Sequence, residues 1–162
     1  MKSHDKERHV VDALYRISSL SVETQGTAEA FEAILEEVMT VLPANSASLA
    51  LLNADTGQLE IEVGKGLEEH SLGFALPVGQ GITGWVALHG EPLLVPDVSK
   101  DSRYYLIKKS IRSEMAAPLE ERGRIVGVLN VDANQVEAFD EEDLKILTLL
   151  AREASRVLNK LW

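Results

Sequence analysis

The chain has 162 residues, of which 45% are hydrophobic and 26% charged, so residues 1–162 are long enough to bury a core as one domain. Its formal net charge of −10 repels a phosphate backbone, and we therefore expect no nucleic-acid partner. No apolar run approaches the roughly 18 residues that span a bilayer, and the charged first residues are unlike a signal peptide. These features predict a cytoplasmic protein that has no membrane partner.

The complete absence of cysteine removes several kinds of chemistry. Without cysteine the chain has no thiolate nucleophile, no disulfide and no metal site built on sulfur. The sequence also lacks the spacing of a Ser/His/Asp triad, an HExxH metal motif and a Walker loop. We therefore predict that the chain is not an enzyme and that it has no metal site.

The first half of the chain is predicted to form two helices and then strands. Apolar residues recur at helical spacing over residues 5–21 and again over 27–42. The period then changes to two, and the alternating runs 46–52 and 58–63 predict a β-hairpin whose second strand is an edge. A short strand follows at 74–78, where Pro77 indicates an edge position.

A glycine-rich segment, a second hairpin and a long helix complete the predicted order. Residues 79–98 predict a tight turn, a short helix, a strand and an acidic loop, followed by a helical turn over 102–109. Strands are predicted at 113–120 and 124–132, joined by a loop that contains Gly123. The last helix, residues 140–162, begins at Asp140 as its N-cap and has two apolar flanks, one for the sheet and one for a partner helix.

Short motifs occur in a fixed order along the chain: GITGWVA at 81–87, GEP at 90–92, VPDV at 95–98, DSR at 101–103, SEMAAPL at 113–119 and GVLNV at 127–131. Together with the order of the predicted elements, they resemble the GAF domain family over essentially the whole chain. The resemblance implies an α/β (α+β, GAF/PAS-like) fold with a central antiparallel sheet of five or six strands. In that fold the N- and C-terminal helices pack on one face of the sheet, and a ligand pocket lies on the other.

The resemblance also implies a regulatory function. We expect a non-catalytic sensor that binds an unidentified small molecule, forms a homodimer through helices 5–21 and 140–162, and signals to an effector domain or protein. The alternative is a dimerisation module with an empty or vestigial pocket. The free-methionine sulfoxide reductases of this family act through cysteine thiolates, which this chain lacks, and so that activity is not expected.

The predicted site has two parts. The resemblance indicates a pocket between residues 74 and 115. The predicted pocket residues are Phe74, Leu76, Gly81, Ile82, Trp85, Val95, Asp97, Tyr104, Tyr105, Ser113 and Met115. The predicted dimer interface consists of Leu14, Ile17, Leu147, Ala151 and Leu158.

Several of these positions have a structural alternative. The amides of residues 79–82 either bind an anionic or carbonyl group at a helix N-terminus or belong to a turn that only glycine permits. Asp97 either accepts hydrogen bonds from a ligand or bonds to backbone N–H groups near Ser99. Trp85 lines the pocket or packs in the core, and His89 is either a haem ligand or a basic residue that complements the helix dipole.

A cyclic-nucleotide sensor is a further hypothesis. The signature of cyclic-nucleotide-binding GAF domains is matched here by Asn134, Phe139 and Asp143. It is broken where Gln135 takes the place of a lysine and Leu144 that of a glutamate. The departures lower the expectation of a cyclic nucleotide.

Overall fold

The computed structural model of the chain describes residues 3–21, 26–67, 73–104 and 110–159. Within these residues the elements follow the order α1 (Ser3–Ser18), α2 (Thr27–Val41), β1 (Ser46–Asn53), β2 (Gln58–Lys65), β3 (Ala75–Pro77), α3 (Gly81–His89), β4 (Leu93–Val95), β5 (Ser113–Glu121), β6 (Arg124–Ala133) and α4 (Glu141–Leu158). A short 3-10 helix, Val98–Lys100, follows β4. Most of the helical turn predicted at 102–109 lies outside the described residues.

The strands form one antiparallel sheet in the order β3-β2-β1-β6-β5-β4. This arrangement confirms the predicted sheet and both predicted hairpins. Strand β2 is not an edge, contrary to the prediction, because β3 pairs with its outer side. The two true edges, β3 and β4, are only three residues long, which leaves few unpaired backbone groups at either side of the sheet.

Helices α1, α2 and α4 cover one face of the sheet, as predicted. Alternate residues of each strand point toward them, and Leu49, Met115 and Leu129 are completely buried in this core. The core therefore lies between the sheet and the helices that precede and follow it. Among the helices of the described residues, none has the length and apolar character needed to cross a membrane.

The start of α4 is fixed by its cap and by an ion pair. The Asp140 carboxylate accepts a hydrogen bond from the backbone N–H of Asp143 at 2.8 Å, and the Asp143 carboxylate accepts one from the backbone N–H of Asp140 at 3.1 Å. This capping box confirms Asp140 as the N-cap. Lys6 of α1 also donates to Asp143, at 2.8 Å, and this hydrogen bond raises the pKa of Lys6. The first and last helices are thereby joined.

The predicted dimer-interface residues pack inside the chain, which corrects that prediction. Ile17, Leu147 and Leu158 are completely buried and Ala151 is 1% exposed, all in the core between helices and sheet. Leu14 is partly buried against the same core. The apolar stripe of a terminal helix must first cover the apolar face of its own sheet. These side chains are therefore unavailable to a partner while the domain is folded.

Helix α3 covers the opposite face of the sheet, which we call the pocket face. It packs through Ile82 and Val86 onto a second apolar cluster that includes Ala116 and Val128. Gly84 permits this close approach, because a Cβ atom at that position would lie 2.9 Å from the carbonyl oxygen of Pro77. The position of α3 determines where a ligand could reach the sheet.

Candidate functional site

Buried polar side chains lie together on the pocket face. In the register of the sheet, Ser46 pairs with Asp132 and Asp132 pairs with Glu114, and these three residues are between 0% and 5% exposed. Ser48 pairs with Asn130 in the adjacent row, and each is 6% exposed. We call these five residues the polar patch. It interrupts an otherwise apolar sheet surface.

A hydrogen bond connects part of the polar patch, and one acceptor is left unused. The Ser46 hydroxyl donates to Asp132 Oδ1, and the Asn130 side chain lies near enough to the Glu114 carboxyl group to lower its pKa. The Oδ1 atom of Asn130 is buried and has no hydrogen-bond partner. A buried acceptor without a donor costs about 1–3 kcal/mol. A donor from a bound molecule would recover that free energy.

The electrostatics of the patch favour a neutral Glu114. Burial, followed by the negative charges of Asp132 and Asp101, raises the pKa of Glu114 to about 8, although the Asn130 side chain acts in the opposite direction. No cationic side chain of the described residues pairs with Glu114. The nearby Asp101 is already engaged, because Arg103 donates to its two carboxylate oxygens at 2.9 Å and 2.6 Å.

A small cavity adjoins the polar patch and has both polar and apolar walls. Its volume of about 20 Å³ is room for about one water molecule. The apolar walls come mainly from β2 and β3, and the polar walls from β1, β6 and α3. The lining residues are Ser48, Ala50, Leu59, Ile61, Phe74, Leu76, Thr83 and Asn130. Two of them, Phe74 and Leu76, are predicted pocket residues.

The glycines that precede α3 form its turn. Gly79 and Gly81 have positive φ angles of 94° and 70°, which other residues rarely adopt. The backbone N–H of Gly79 donates to the carbonyl oxygen of Gly84 at 2.8 Å, so this amide is used within the protein. Ile82, another predicted pocket residue, is 3% exposed and packs in the apolar cluster of the pocket face. These contacts agree with the structural interpretation of the glycines.

Trp85 is half-buried at the edge of the pocket-face cluster. The His89 ring stacks on it, with centroids 4.2 Å apart, and the Arg103 guanidinium lies 5.0 Å from the centroid of the indole ring. His89 Nδ1 lies 2.9 Å from the carbonyl oxygen of Trp85, so this imidazole contacts its own helix. Tyr104 packs against the same cluster, and Tyr105 lies outside the described residues.

Asp97 forms the turn interaction that was the alternative to ligand binding. Its carboxylate accepts hydrogen bonds from the backbone N–H of Ser99 at 3.0 Å and from the Ser99 hydroxyl at 2.7 Å. The hydrogen bond from the hydroxyl is the main reason that the pKa of Asp97 is lowered. Val95, two residues earlier, is 2% exposed within the pocket-face cluster. Asp97 therefore caps the short 3-10 helix.

Two predicted pocket residues lie on the wrong face of the sheet. Met115 is completely buried in the helix-side core, and Ser113 donates from its hydroxyl to the carbonyl oxygen of Gln135 at 2.7 Å. The residue between them, Glu114, faces the pocket instead, because neighbours along a strand alternate. Neither Glu114 nor Asn130 is among the residues predicted from the sequence. The available signal was a polar residue between two apolar ones within a strand, as for Asn130 between Leu129 and Val131.

The residues that match the cyclic-nucleotide signature have structural contacts. Phe139 is 4% exposed in the helix-side core, and Asp143 belongs to the capping box of α4. The backbone N–H of Asn134 donates to the Asn45 side chain at 2.8 Å. The side chains of Phe139 and Asp143 are therefore accounted for by folding, without a nucleotide.

Sequence comparison finds relatives of two kinds. One is GAF domain-containing protein A of Dictyostelium discoideum, 36% identical over 74 residues, which are 46% of this chain and 47% of the relative. Another is the free methionine-R-sulfoxide reductase of Saccharomyces cerevisiae, 32% identical over 75 residues, which are 46% of this chain and 42% of that enzyme. The chain spans about half the length of the curated relatives it matches.

Structure comparison gives a consistent result. The crystal structure of free methionine-R-sulfoxide reductase from Neisseria meningitidis in complex with its substrate has a TM-score of 0.83 to this chain at 21% identity, covering 94% of this chain and 90% of the reductase. The two proteins share a fold. Because relatives by sequence are free methionine-R-sulfoxide reductases, which are enzymes, the prediction that this chain is not an enzyme is contradicted.

The family model for the GAF domain matches residues 24–159. This range extends from the segment before α2 through the last helix, and so contains the whole sheet, α3 and the polar patch. The sheet order and the position of α3 agree with the fold that the motifs imply. The chain belongs to the GAF domain family.

Proposed function

We propose that this GAF domain binds a small molecule that carries a protonated amine, on the pocket face beside α3. The observation that carries the proposal is a buried group of acceptors: the carboxyl groups of Glu114 and Asp132 and the unpartnered Oδ1 of Asn130. Buried carboxyl groups are stabilised by a cation or by hydrogen-bond donors. An ammonium group supplies both, and free amino acids carry one.

The other end of the cavity favours an apolar group on the same ligand. Leu59, Ile61 and Leu76 line it, and hydrocarbon walls with a few placed polar groups are typical of small-molecule sites. The reductases found by comparison are named for free methionine-R-sulfoxide, an amino acid with an amine at one end and a short sulfur-containing chain at the other. Free methionine sulfoxide is therefore the first ligand to test.

Binding of such a ligand requires the cavity to open. Its volume of about 20 Å³ is far below the roughly 300–1,000 Å³ of small-molecule sites. Phe74 and Thr83 are the two lining residues that lie outside the sheet, and their displacement enlarges the cavity without breaking a strand. The ligand then shifts the protein toward the open state, to an extent set by the difference in its affinity for the open and closed states.

The contact between β5 and α4 supports a signalling function for this binding. The Ser155 hydroxyl of α4 accepts a hydrogen bond from the backbone N–H of Glu120 at 3.0 Å and donates to the carbonyl oxygen of Ala151 at 2.7 Å. Glu120 belongs to the same strand as Glu114. In our proposal, a change at Glu114 reaches an effector through this strand and the terminal helix.

Titration calorimetry with L-methionine sulfoxide tests the binding proposal. We expect saturable binding of the amino acid and at least tenfold weaker binding of N-acetyl-L-methionine sulfoxide, which has the same side chain but no ammonium group. Equal affinity for the two compounds, or binding of neither, contradicts the proposal. Incubation of the protein with the sulfoxide and dithiothreitol, followed by measurement of the methionine formed, determines whether the bound compound is also reduced.

A dimerisation module is the second candidate function. The small cavity favours it, and so do Val11 and Tyr15, which are 62% and 72% exposed and lie four residues apart on α1. We propose that this face of α1 packs against a second copy of the chain. Sedimentation velocity tests this proposal. The double variant Val11→Ser, Tyr15→Ser should be a monomer. The control Leu88→Ser, at an exposed apolar residue outside α1, should remain a dimer. A monomeric parent protein excludes the dimer.

A further inference from the structure

Among the described residues, the groups that shift the pKa of Glu114 are acidic or neutral. Asp132 lies opposite it on β6, the Asn130 side chain lies near it on the same strand as Asp132, and the carboxylate of Asp101 lies close enough to act on it by charge. On β4 its paired neighbour is Val95, an apolar residue. The Arg103 guanidinium is bonded to Asp101. Within the described residues, Glu114 therefore lies next to negative charge without a cation of its own.

Two ionised carboxylates directly opposite each other on paired strands repel. Glu114 and Asp132 occupy this arrangement, and both are at most 5% exposed. Little water is available to screen the repulsion. The arrangement is most stable when Glu114 keeps its proton.

We infer that Glu114 releases its proton to solvent when a cationic group binds beside it, so that ligand binding at the polar patch is coupled to pH. In this step the O–H bond of the carboxyl group breaks, the proton passes to water or buffer, and the ligand ammonium donates an N–H to the resulting carboxylate. The inference rests on the proposed function, because it concerns a ligand that carries an ammonium group.

Asn130 is suited to both protonation states of Glu114. Its amide nitrogen can donate to an ionised carboxylate or to the carbonyl oxygen of a protonated carboxyl group, so the amide need not rotate. When the nitrogen is bonded to Glu114, the Oδ1 atom is the one without a partner and can accept an N–H from the ligand. The same side chain thus stabilises the empty site and the occupied site.

The coupling has a defined sign. Below about pH 8, the pKa of Glu114, the free protein holds a proton that the complex has lost, and so a rise in pH favours binding. The limit for release of one proton is a tenfold gain in affinity per pH unit. Measurements at or below pH 7.5 keep the ligand amine protonated, which separates its titration from that of Glu114.

Titration calorimetry of L-methionine sulfoxide at pH 7, in phosphate and in Tris, measures the protons released, because the two buffers have different ionisation enthalpies. We expect about one proton per ligand for the parent protein and for Glu120→Gln, an exposed glutamate on the same strand. We expect none for Glu114→Gln. If the ligand binds with the same enthalpy in both buffers, no proton is released; that result overturns the inference and leaves the proposed function intact. A complete absence of binding overturns both.

Discussion

Glu114 and Asp132 lie directly opposite each other on β5 and β6, on the pocket face of the sheet, and are 5% and 3% exposed. Two carboxyl groups in this position cannot both ionise without a cost in stability. In our proposal these two groups receive a hydrogen bond from the ligand, and their charge determines how stability and binding depend on pH.

The stability of the ligand-free protein should fall as the pH rises from 4.5 to about 8. The lower limit is the normal pKa of a glutamate, and the upper limit is the pKa of Glu114 in the folded protein. Over this range the folded protein holds a proton that the unfolded chain has lost, so the free energy of unfolding decreases by up to about 1.4 kcal/mol per pH unit. Urea denaturation at pH 5, 6.5 and 8 measures the slope. In the Glu114→Gln variant this side chain cannot lose a proton, so most of the slope should disappear. The variant should also be more stable than the parent protein at pH 8. Parallel curves for the two proteins would show that Glu114 does not titrate in this range.

Leu147 and Leu149 provide a matched pair on α4. Leu147 is completely buried and Leu149 is 42% exposed. Leu147→Lys should unfold the domain, because an unpaired charge in the core costs several kcal/mol. Leu149→Lys should change the free energy of unfolding by no more than about 0.5 kcal/mol. Circular dichroism during thermal denaturation compares them. If the Leu147→Lys protein stays folded and loses only its self-association, the dimer interface predicted from the sequence would be correct after all.

Gly84→Ala should destabilise the domain although alanine is the better helix former. The added Cβ would lie 2.9 Å from Pro77 O and 3.2 Å from Gly79 N, both backbone atoms. We expect a net loss of about 1–3 kcal/mol from overpacking, against a gain of roughly 1 kcal/mol in helix propensity. Leu88→Ala, at an exposed position of the same helix, is the control and should change little. A stabilised Gly84→Ala protein would mean that α3 can move away from the β3 segment.

Substitutions at Asp97 and Asp132 distinguish two candidate sites. Asp97 belongs to the site predicted from the sequence, and Asp132 belongs to the polar patch found in the structure. The Asp97 carboxylate is bonded to Ser99, and so Asp97→Asn should leave the affinity for L-methionine sulfoxide within about twofold. Asp132→Asn removes a charge from the polar patch and should weaken binding by at least tenfold, since a hydrogen bond to a charged group contributes about 1.5–3 kcal/mol. The reverse order of effects would assign the ligand to the loop after β4.

Sequence patterns were sufficient for the fold. Alternating residues, turn glycines and the motifs around α3 identified the sheet, both hairpins and the family, and Asp140 was identified as a cap from its position before an acidic first turn. These features are local, so they can be predicted from the spacing of residues along the chain. The limits of α1 are Ser3–Ser18 instead of the predicted 5–21, because helix ends depend on tertiary contacts.

The site was harder to predict because a strand has two faces. Alternation along β5 separates Met115 from Glu114, but only the packing of α1, α2 and α4 determines which of the two faces the pocket. The same limit applies to α4. Its apolar flanks predicted a partner helix, whereas Leu147 and Leu158 are completely buried against the chain's own core.

A crystal structure of the protein grown with saturating L-methionine sulfoxide tests the central claim most directly. We predict that the ligand nitrogen lies within about 3 Å of the Glu114 carboxylate and of Asn130 Oδ1, and that the terminal methyl group of the ligand points toward Leu59 and Leu76. A ligand bound elsewhere, for example in the groove between Pro118 and Arg152, or a pocket face that stays closed at saturating concentration, would contradict the account.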